Sequence, residues 1–266
     1  MWNFYDELCI GIPSGIRIEE CVVGNRWTMV RANGNVGIAR TLGGEDADSN
    51  TLAQSMVGTY LRDAANHMKW NSLVRASVGV AAMNAFYNHA ELLENNDTAP
   101  AFEDVEGKKI AVIGDLPNVE IELMGCASLV VLPLPESNEL GAEYEQAMQS
   151  EVVLISGDTL INQTLLLLLK LVGENTKVTL FGASVPAAPI LFSFGNPVHK
   201  LVGVYAKGDE TVSFAMQPVQ PKYLHESEQV SRYEASPYKA TKFNNAFNPW
   251  DGKKYDQNTW SELYLG

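Results

Sequence analysis

Two aspartates stand out because each follows an apolar run by a short polar turn: Asp115 in IGDLP and Asp158 in ISGDT. The runs Lys109–Ile113 and Val152–Ile155 are rich in β-branched residues, as expected of strands buried on both faces. In an open parallel sheet, the turns at the carboxyl ends of strands collect on one edge, and that edge is where such sheets bind ligands. Asp115 and Asp158 are therefore candidate hard-oxygen ligands for a metal. They could equally accept hydrogen bonds from a ribose or an amine, and capping a helix is the competing structural role.

The turn around Asp158 holds more of interest. Ser156, Gly157 and Thr159 add hydroxyls and free N–H groups at a helix start, and Asn162 lies about one helical turn further on. A third turn, Gly182-Ala183-Ser184-Val185-Pro186, places a serine between a strand and an expected helix, as in a GxSxG nucleophile elbow. Pro186 replaces the final glycine, and the nearest downstream histidine is His199, so a serine-hydrolase triad is weakly supported. The first turn carries a single glycine, Gly114, followed by Asp115 and Pro117, where a dinucleotide fold uses GxGxxG. An aspartate there would repel a diphosphate, which disfavours a bound dinucleotide. In the first half, Asn84 and Asn88 are four apart and share one helix face. His89 follows them, while His67 and His225 have no evident partner in the sequence. Arg40 and Arg75 are the cations expected nearest the site.

The elements that must position these groups fall into two sets. The first begins with an amphipathic helix over residues 1–12. Three short strands follow, Arg17–Val23, Trp27–Arg31 and Val36–Thr41, separated by Asn/Gly pairs that suit hairpin turns. One helix is expected over Thr51–Lys69, and another, capped by Ser72, from there to about Leu93. Asn95–Pro100 reads as a linker. The second set alternates strands and helices: strand Lys109–Ile113, helix Pro117–Met124, strand Ser128–Leu132, helix Gly141–Gln149, strand Val152–Ile155, a leucine-rich helix, strand Val178–Phe181, helix Pro186–Phe194 and strand Leu201–Ala206. Thr211–Met216 is expected as the last strand. This alternation predicts a doubly wound α/β sheet. The expected organisation is thus an α+β domain over 1–98, an α/β domain over 99–217, and an extended arm over 218–266. The arm shows no helix or strand period, yet it keeps many aromatics as anchors, among them Tyr233 and Trp250, for the chain's own surface or for a second subunit in a homo-oligomer.

Composition narrows the function. The formal charge of −13 and pI of about 4.7 disfavour nucleic acid as the main partner. Three widely spaced cysteines, Cys9, Cys21 and Cys126, form no disulfide framework and suit a reducing cytoplasm. No CxxC or HxxxH pair offers a ready-made zinc site. The longest leucine run, Leu165–Leu169, is far below the roughly 18 residues a bilayer span needs, and the N-terminus lacks the pattern of a signal peptide.

The stretches ISGDTLINQT, FGASVPAAPILFSFG and IAVIGDLP resemble, in order and spacing, the C-terminal domain of the putative heavy-metal chelation family. ASVGVAAMNAFYN and WTMVRANGNVGIAR are similar to that family's N-terminal domain. The resemblance covers roughly residues 1–217. It implies a domain like the N-terminal domain of enolase, then a Rossmann-like domain, with the site in the cleft between them. It carries over Asn84; Gly114, Asp115 and Pro117; Gly157, Thr159 and Asn162; and Gly182, Ser184 and Pro186. Gln163 and Ala183 stand where the family pattern would have Gly and Pro. An enolase-like fold brings no enolase chemistry with it.

Three functions follow as expectations. The first is a protein binding a heavy metal or a metal-bearing small molecule in the cleft. Soft ligands are scarce, so a chelate that brings its own donors suits the sequence better than a bare zinc or copper ion. The second is an enzyme using a nucleoside-type cofactor, such as a methyl donor, at the same place. The third is a binding or scaffold protein without catalysis.

Overall fold

In the computed structural model, described for residues 2–44, 48–88, 102, 105–136, 139–192, 198–208 and 230–236, the chain builds two sheets. Helix α1 (Trp2–Ile10) precedes an antiparallel meander of β1 (Ile18–Val23), β2 (Trp27–Ala32) and β3 (Asn35–Arg40). Asn33 and Gly34 turn the second hairpin, both with positive φ, as the Asn-Gly pair predicts.

The helix expected over Thr51–Lys69 is instead three pieces: α2 (Ser49–Met56), α3 (Leu61–Ala65) and a 3-10 turn (Asn66–Lys69). Gly58 has φ +81°, and the chain around it runs along the start of β1. Ile18 N–H donates to Thr59 O, Gly58 N–H to Ile18 O and Leu61 N–H to Ile16 O. Pairing with the sheet replaces helix here. Helix α4 (Leu73–Tyr87) is capped by Ser72, whose Oγ accepts from Arg75 N–H at 3.4 Å. Its small residues let β3 approach closely. A Cβ on Gly37 would lie 2.0 Å from Ala85 N and 2.1 Å from Ala81 O.

The larger sheet has the order β5-β4-β6-β7-β8-β9, from β4 (Lys109–Ile113), β5 (Ser128–Leu132), β6 (Val152–Ser156), β7 (Lys177–Phe181), β8 (Val198–Ala206) and β9 (Val230–Ala235). β4 to β8 are parallel, with the 2-1-3-4-5 order of one class of doubly wound sheets, whose switch point lies between β4 and β6. The mixed α/β class expected from the sequence is the one observed.

Helix α5 (Val119–Glu122) is shorter than expected, and α6 (Ala142–Ala147) lies within its expected range. Two further differences have local causes. The leucine-rich helix is split into α7 (Asp158–Ile161) and α8 (Leu165–Leu169), because Gln163 adopts φ +62° between them. The described residues 186–192 of the helix expected over Pro186–Phe194 do not form an α-helix. A single 3-10 turn spans Pro189–Phe192, since Pro186 and Pro189 lack the N–H groups a helix start would use beyond its first position. Val230–Ala235, read from sequence as part of an extended arm without a strand period, is the antiparallel strand β9 on β8. His89, the linker Asn95–Pro100, the strand expected at Thr211–Met216, His225 and the rest of the arm, Trp250 included, lie outside the described residues.

Candidate ligand cleft at the switch point

Because β4 and β6 are neighbours, with Ile113 opposite Ile155, their following turns are side by side. Asp115 and Asp158 therefore reach the same edge of the sheet. Gly114 makes the first turn with φ +107°, and a Cβ there would meet Ser156 Cβ at 2.6 Å. The turns after β6 and β7 are equally close. A Cβ on Gly157 would lie 2.7 Å from the Ser184 carbonyl carbon. These glycines are needed for turn-on-turn packing before any ligand is considered.

The small sheet closes over this edge. Arg40, at the end of β3, donates its backbone N–H to Ser184 Oγ at 3.0 Å, and Ser184 Oγ donates to Asp158 Oδ1 at 2.6 Å. Ser156 Oγ accepts from Asp158 N–H at 3.2 Å. The Arg40 guanidinium sits 5.5 Å from the Trp27 ring centroid. Removal from water pushes the Asp158 carboxyl above its ordinary value; the Ser184 bond and then the Arg40 charge act against this, and Asp115 adds to it.

An outer cleft of about 880 Å³ opens at the switch point. Its walls include Trp70, Leu73, Pro133 and Pro135, with Asp115, Asp158, Arg40 and Asn162 supplying polar groups. Asn162 Nδ2 donates to Pro135 O at 2.8 Å, and Tyr144 Oη to Pro133 O at 3.0 Å, so the loop after β5 is fixed as a wall. Gln163 Nε2 donates to Met68 O and Trp70 O, holding the opposite wall. A smaller inner pocket of about 120 Å³ adjoins it, and both are lined by Arg40, Asp115 and Asp158.

The residues singled out in the sequence divide into two groups. Gly114 and Asn162 line the outer cleft, Pro117, Ser156 and Gly182 the inner pocket, and Asp115 and Asp158 both. Asn84, Gly157, Thr159, Ser184 and Pro186 line neither and lie beneath the site. Asn84 Nδ2 donates to Ile38 O at 2.7 Å and Ala183 O at 3.0 Å. Thr159 Oγ1 donates to Ser156 O at 2.7 Å. Ser184 is fully buried, and its hydroxyl is committed to Asp158. His199 Nδ1 accepts from Val178 N–H near the amino end of β7, the edge away from Ser184. The elbow reading therefore gains no histidine.

Arg40, Trp27 and Trp70 were not selected as site residues from the sequence, although Arg40 was placed nearby. Tyr233, expected from the sequence only as an aromatic anchor of the arm, supports the turn beneath the site. Its hydroxyl donates to Val185 O at 2.9 Å, and it is fully buried. No group of three or more His, Cys, Asp or Glu side chains with metal-holding geometry occurs among the described residues, and no described helix is long and apolar enough to cross a membrane.

A crystal structure from Desulfitobacterium hafniense is similar over 88% of this chain and 97% of its own, with a TM-score of 0.73 and 28% identity. One from Pyrococcus horikoshii covers 88% of this chain and 98% of its own, with a TM-score of 0.69 and 18% identity. Both are described as proteins of unknown function from the DUF364 family; at its lower identity the second speaks for the fold alone. No curated protein matches the chain. A family model described as putative heavy-metal chelation, DUF4213, matches residues 5–87, and a second of the same description, DUF364, matches residues 97–248. That second match spans more than half of the 266 residues, and the chain belongs to the DUF364 putative heavy-metal chelation family.

Proposed function

We propose that the protein binds a metal-bearing organic ligand, a chelate rather than a bare ion, in the outer cleft between an N-terminal unit of residues 1–98 and an α/β unit of residues 99–217. The observation that carries this reading is the donor set. The cleft is of small-molecule size, yet the charged groups shared by its two compartments are two carboxylates and one guanidinium. Glu136 also lines the outer cleft but forms no metal-holding group with Asp115 and Asp158, so these two would leave most of the coordination sphere of a bare cation to water, and Arg40 beside them would repel it. A chelate brings its own donors. Its anionic arms suit Arg40, and its exchangeable positions suit Asp115 and Asp158.

The test is elemental analysis with native mass spectrometry on the full chain, purified without an affinity tag or chelator. The expected result is a metal together with an organic mass, both lost in Asp158→Ala. Stoichiometric bare metal that binds tightly without any organic partner would overturn the reading.

A second reading has one specific observation behind it. The turn after β4 has a single glycine followed by Asp115, which suits ribose hydroxyls better than a diphosphate. On this reading the cleft holds a nucleoside-type cofactor such as a methyl donor. Stabilisation by an adenosine compound, about 2.7 kcal/mol at a hundred times its Kd, with no response to chelates, would select it.

A further inference from the structure

The inner pocket differs in kind from the outer cleft. Trp27 of β2, Phe181 at the end of β7, Val202 and Val204 of β8, and Phe102 supply its apolar walls. Phe102 and Phe181 meet edge to face, with centroids 6.1 Å apart, and Phe181 is 3% exposed. The volume of about 120 Å³ is close to that of an apolar cavity of about 150 Å³ known to hold benzene. It has room for one ring and not for two. Asp115 and Asp158 as acceptors and Arg40 as a donor line both spaces where the pocket meets the outer cleft, and Ser156, Glu122 and Arg232 add polar groups to the inner pocket alone.

We propose that this pocket is a ring subsite: it takes one flat aromatic or heteroaromatic ring of the ligand, whose chelating groups extend past Arg40 and Asp158 into the outer cleft. The inference rests on the chelate reading of the outer cleft and narrows it to an aromatic chelate. Aromatic walls favour a flat ring by stacking and edge contacts. A rim with both donors and acceptors favours a ring with a polar edge. An aliphatic chelate such as a polycarboxylate could occupy the outer cleft but would leave the inner walls uncovered.

The experiment is isothermal titration of the full chain with three probes: the nickel(II) complex of pyridine-dicarboxylate, the nickel(II) complex of citrate, and metal-free pyridine-dicarboxylate. Burying one ring should favour the aromatic complex over the citrate complex by about tenfold or more. Ala183→Leu and Val204→Phe, each narrowing the inner pocket, should abolish that preference. If a variant melts early, the wild-type preference and its loss on competition with free pyridine decide alone. Equal affinity for the two complexes overturns the ring subsite and leaves the chelate reading standing. Binding of the free aromatic alone, lost in Ala183→Leu, upholds the subsite and overturns the chelate reading. Failure of all three probes overturns both.

Discussion

Ser184 Oγ donates to Asp158 Oδ1 at 2.6 Å and accepts the Arg40 backbone N–H at 3.0 Å. One buried hydroxyl thus joins the ends of β3, β6 and β7. Ser184→Ala removes a bond to a charged acceptor and leaves the Arg40 N–H without this partner. The expected cost is about 1.5–3 kcal/mol, read as a lower urea midpoint with an unchanged slope. A variant as stable as the wild type would show that the small sheet is held over the site by other contacts.

The same carboxyl gives a pH dependence with a definite sign. Loss of hydration raises Asp158 above its ordinary 3.8, with Ser184 and Arg40 opposing. Between 3.8 and the raised value, the folded chain keeps a proton that the unfolded chain has lost. This group's contribution to stability therefore falls as pH rises through that window, and it stays unfavourable above it. Asp158→Asn cannot ionise and can still accept from Ser184. Its unfolding free energy should track the wild type below about pH 3.8 and exceed it progressively above. Denaturant titrations of both proteins across pH check this. A wild type that gains on Asp158→Asn as pH rises would mean that Arg40 outweighs the burial.

Most of the scaffold could be read from the sequence because the signals were local. The Asn/Gly turns of the meander, the Ser72 cap and the apolar runs of β4 to β7 each carry their own pattern. Asp115 and Asp158 could be paired because two residues past one parallel strand must lie beside the turn of its neighbour. What was not legible depends on distant partners. β9 has the sequence VSRYEA, with Ser231 buried and Glu234 paired to Lys200 at 2.8 Å. Nothing in that alternation announces a strand until β8 is present to bind it. Residues 57–60 leave the helix for hydrogen bonds to residues some forty positions away. Arg40 becomes a site residue only when the small sheet packs on the large one.

Gln163 illustrates both limits. A glycine was expected there, and the structure shows why: φ is +62°. The glutamine is retained at some strain because its amide bridges Met68 O at 3.1 Å and Trp70 O at 2.9 Å. Gln163→Gly should regain about 1 kcal/mol of backbone strain and lose about 2 kcal/mol from the two bonds. The variant should end up about 1 kcal/mol less stable, with the wall at Trp70 loosened. Hydrogen exchange at residues 68–73 should rise more than in α6, which makes no such contact. A more stable Gln163→Gly would show that strain outweighs the bridge.

Asn84 and Asn88 look equivalent in sequence, four apart on one face, but their bonding differs. Asn88 uses both ends of its amide: Nδ2 donates to Val185 O at 2.8 Å and Val204 O at 3.2 Å, and Oδ1 accepts from Ala187 N–H at 2.7 Å. Asn84 donates twice, while its buried Oδ1 has no hydrogen-bond partner. Asn88→Ala removes three bonds and leaves backbone groups buried in the turn under the site, at a cost of about 3 kcal/mol or more. Asn84→Ala also leaves two carbonyls without these bonds but eliminates an unsatisfied oxygen, so about 1–2 kcal/mol is expected. The order of the two losses in thermal or urea melts is the test. If Asn84→Ala proves the more damaging, then Oδ1 has a partner in the folded protein, a bound water or ligand atom, and Asn84 moves from the supports beneath the cleft into the site itself.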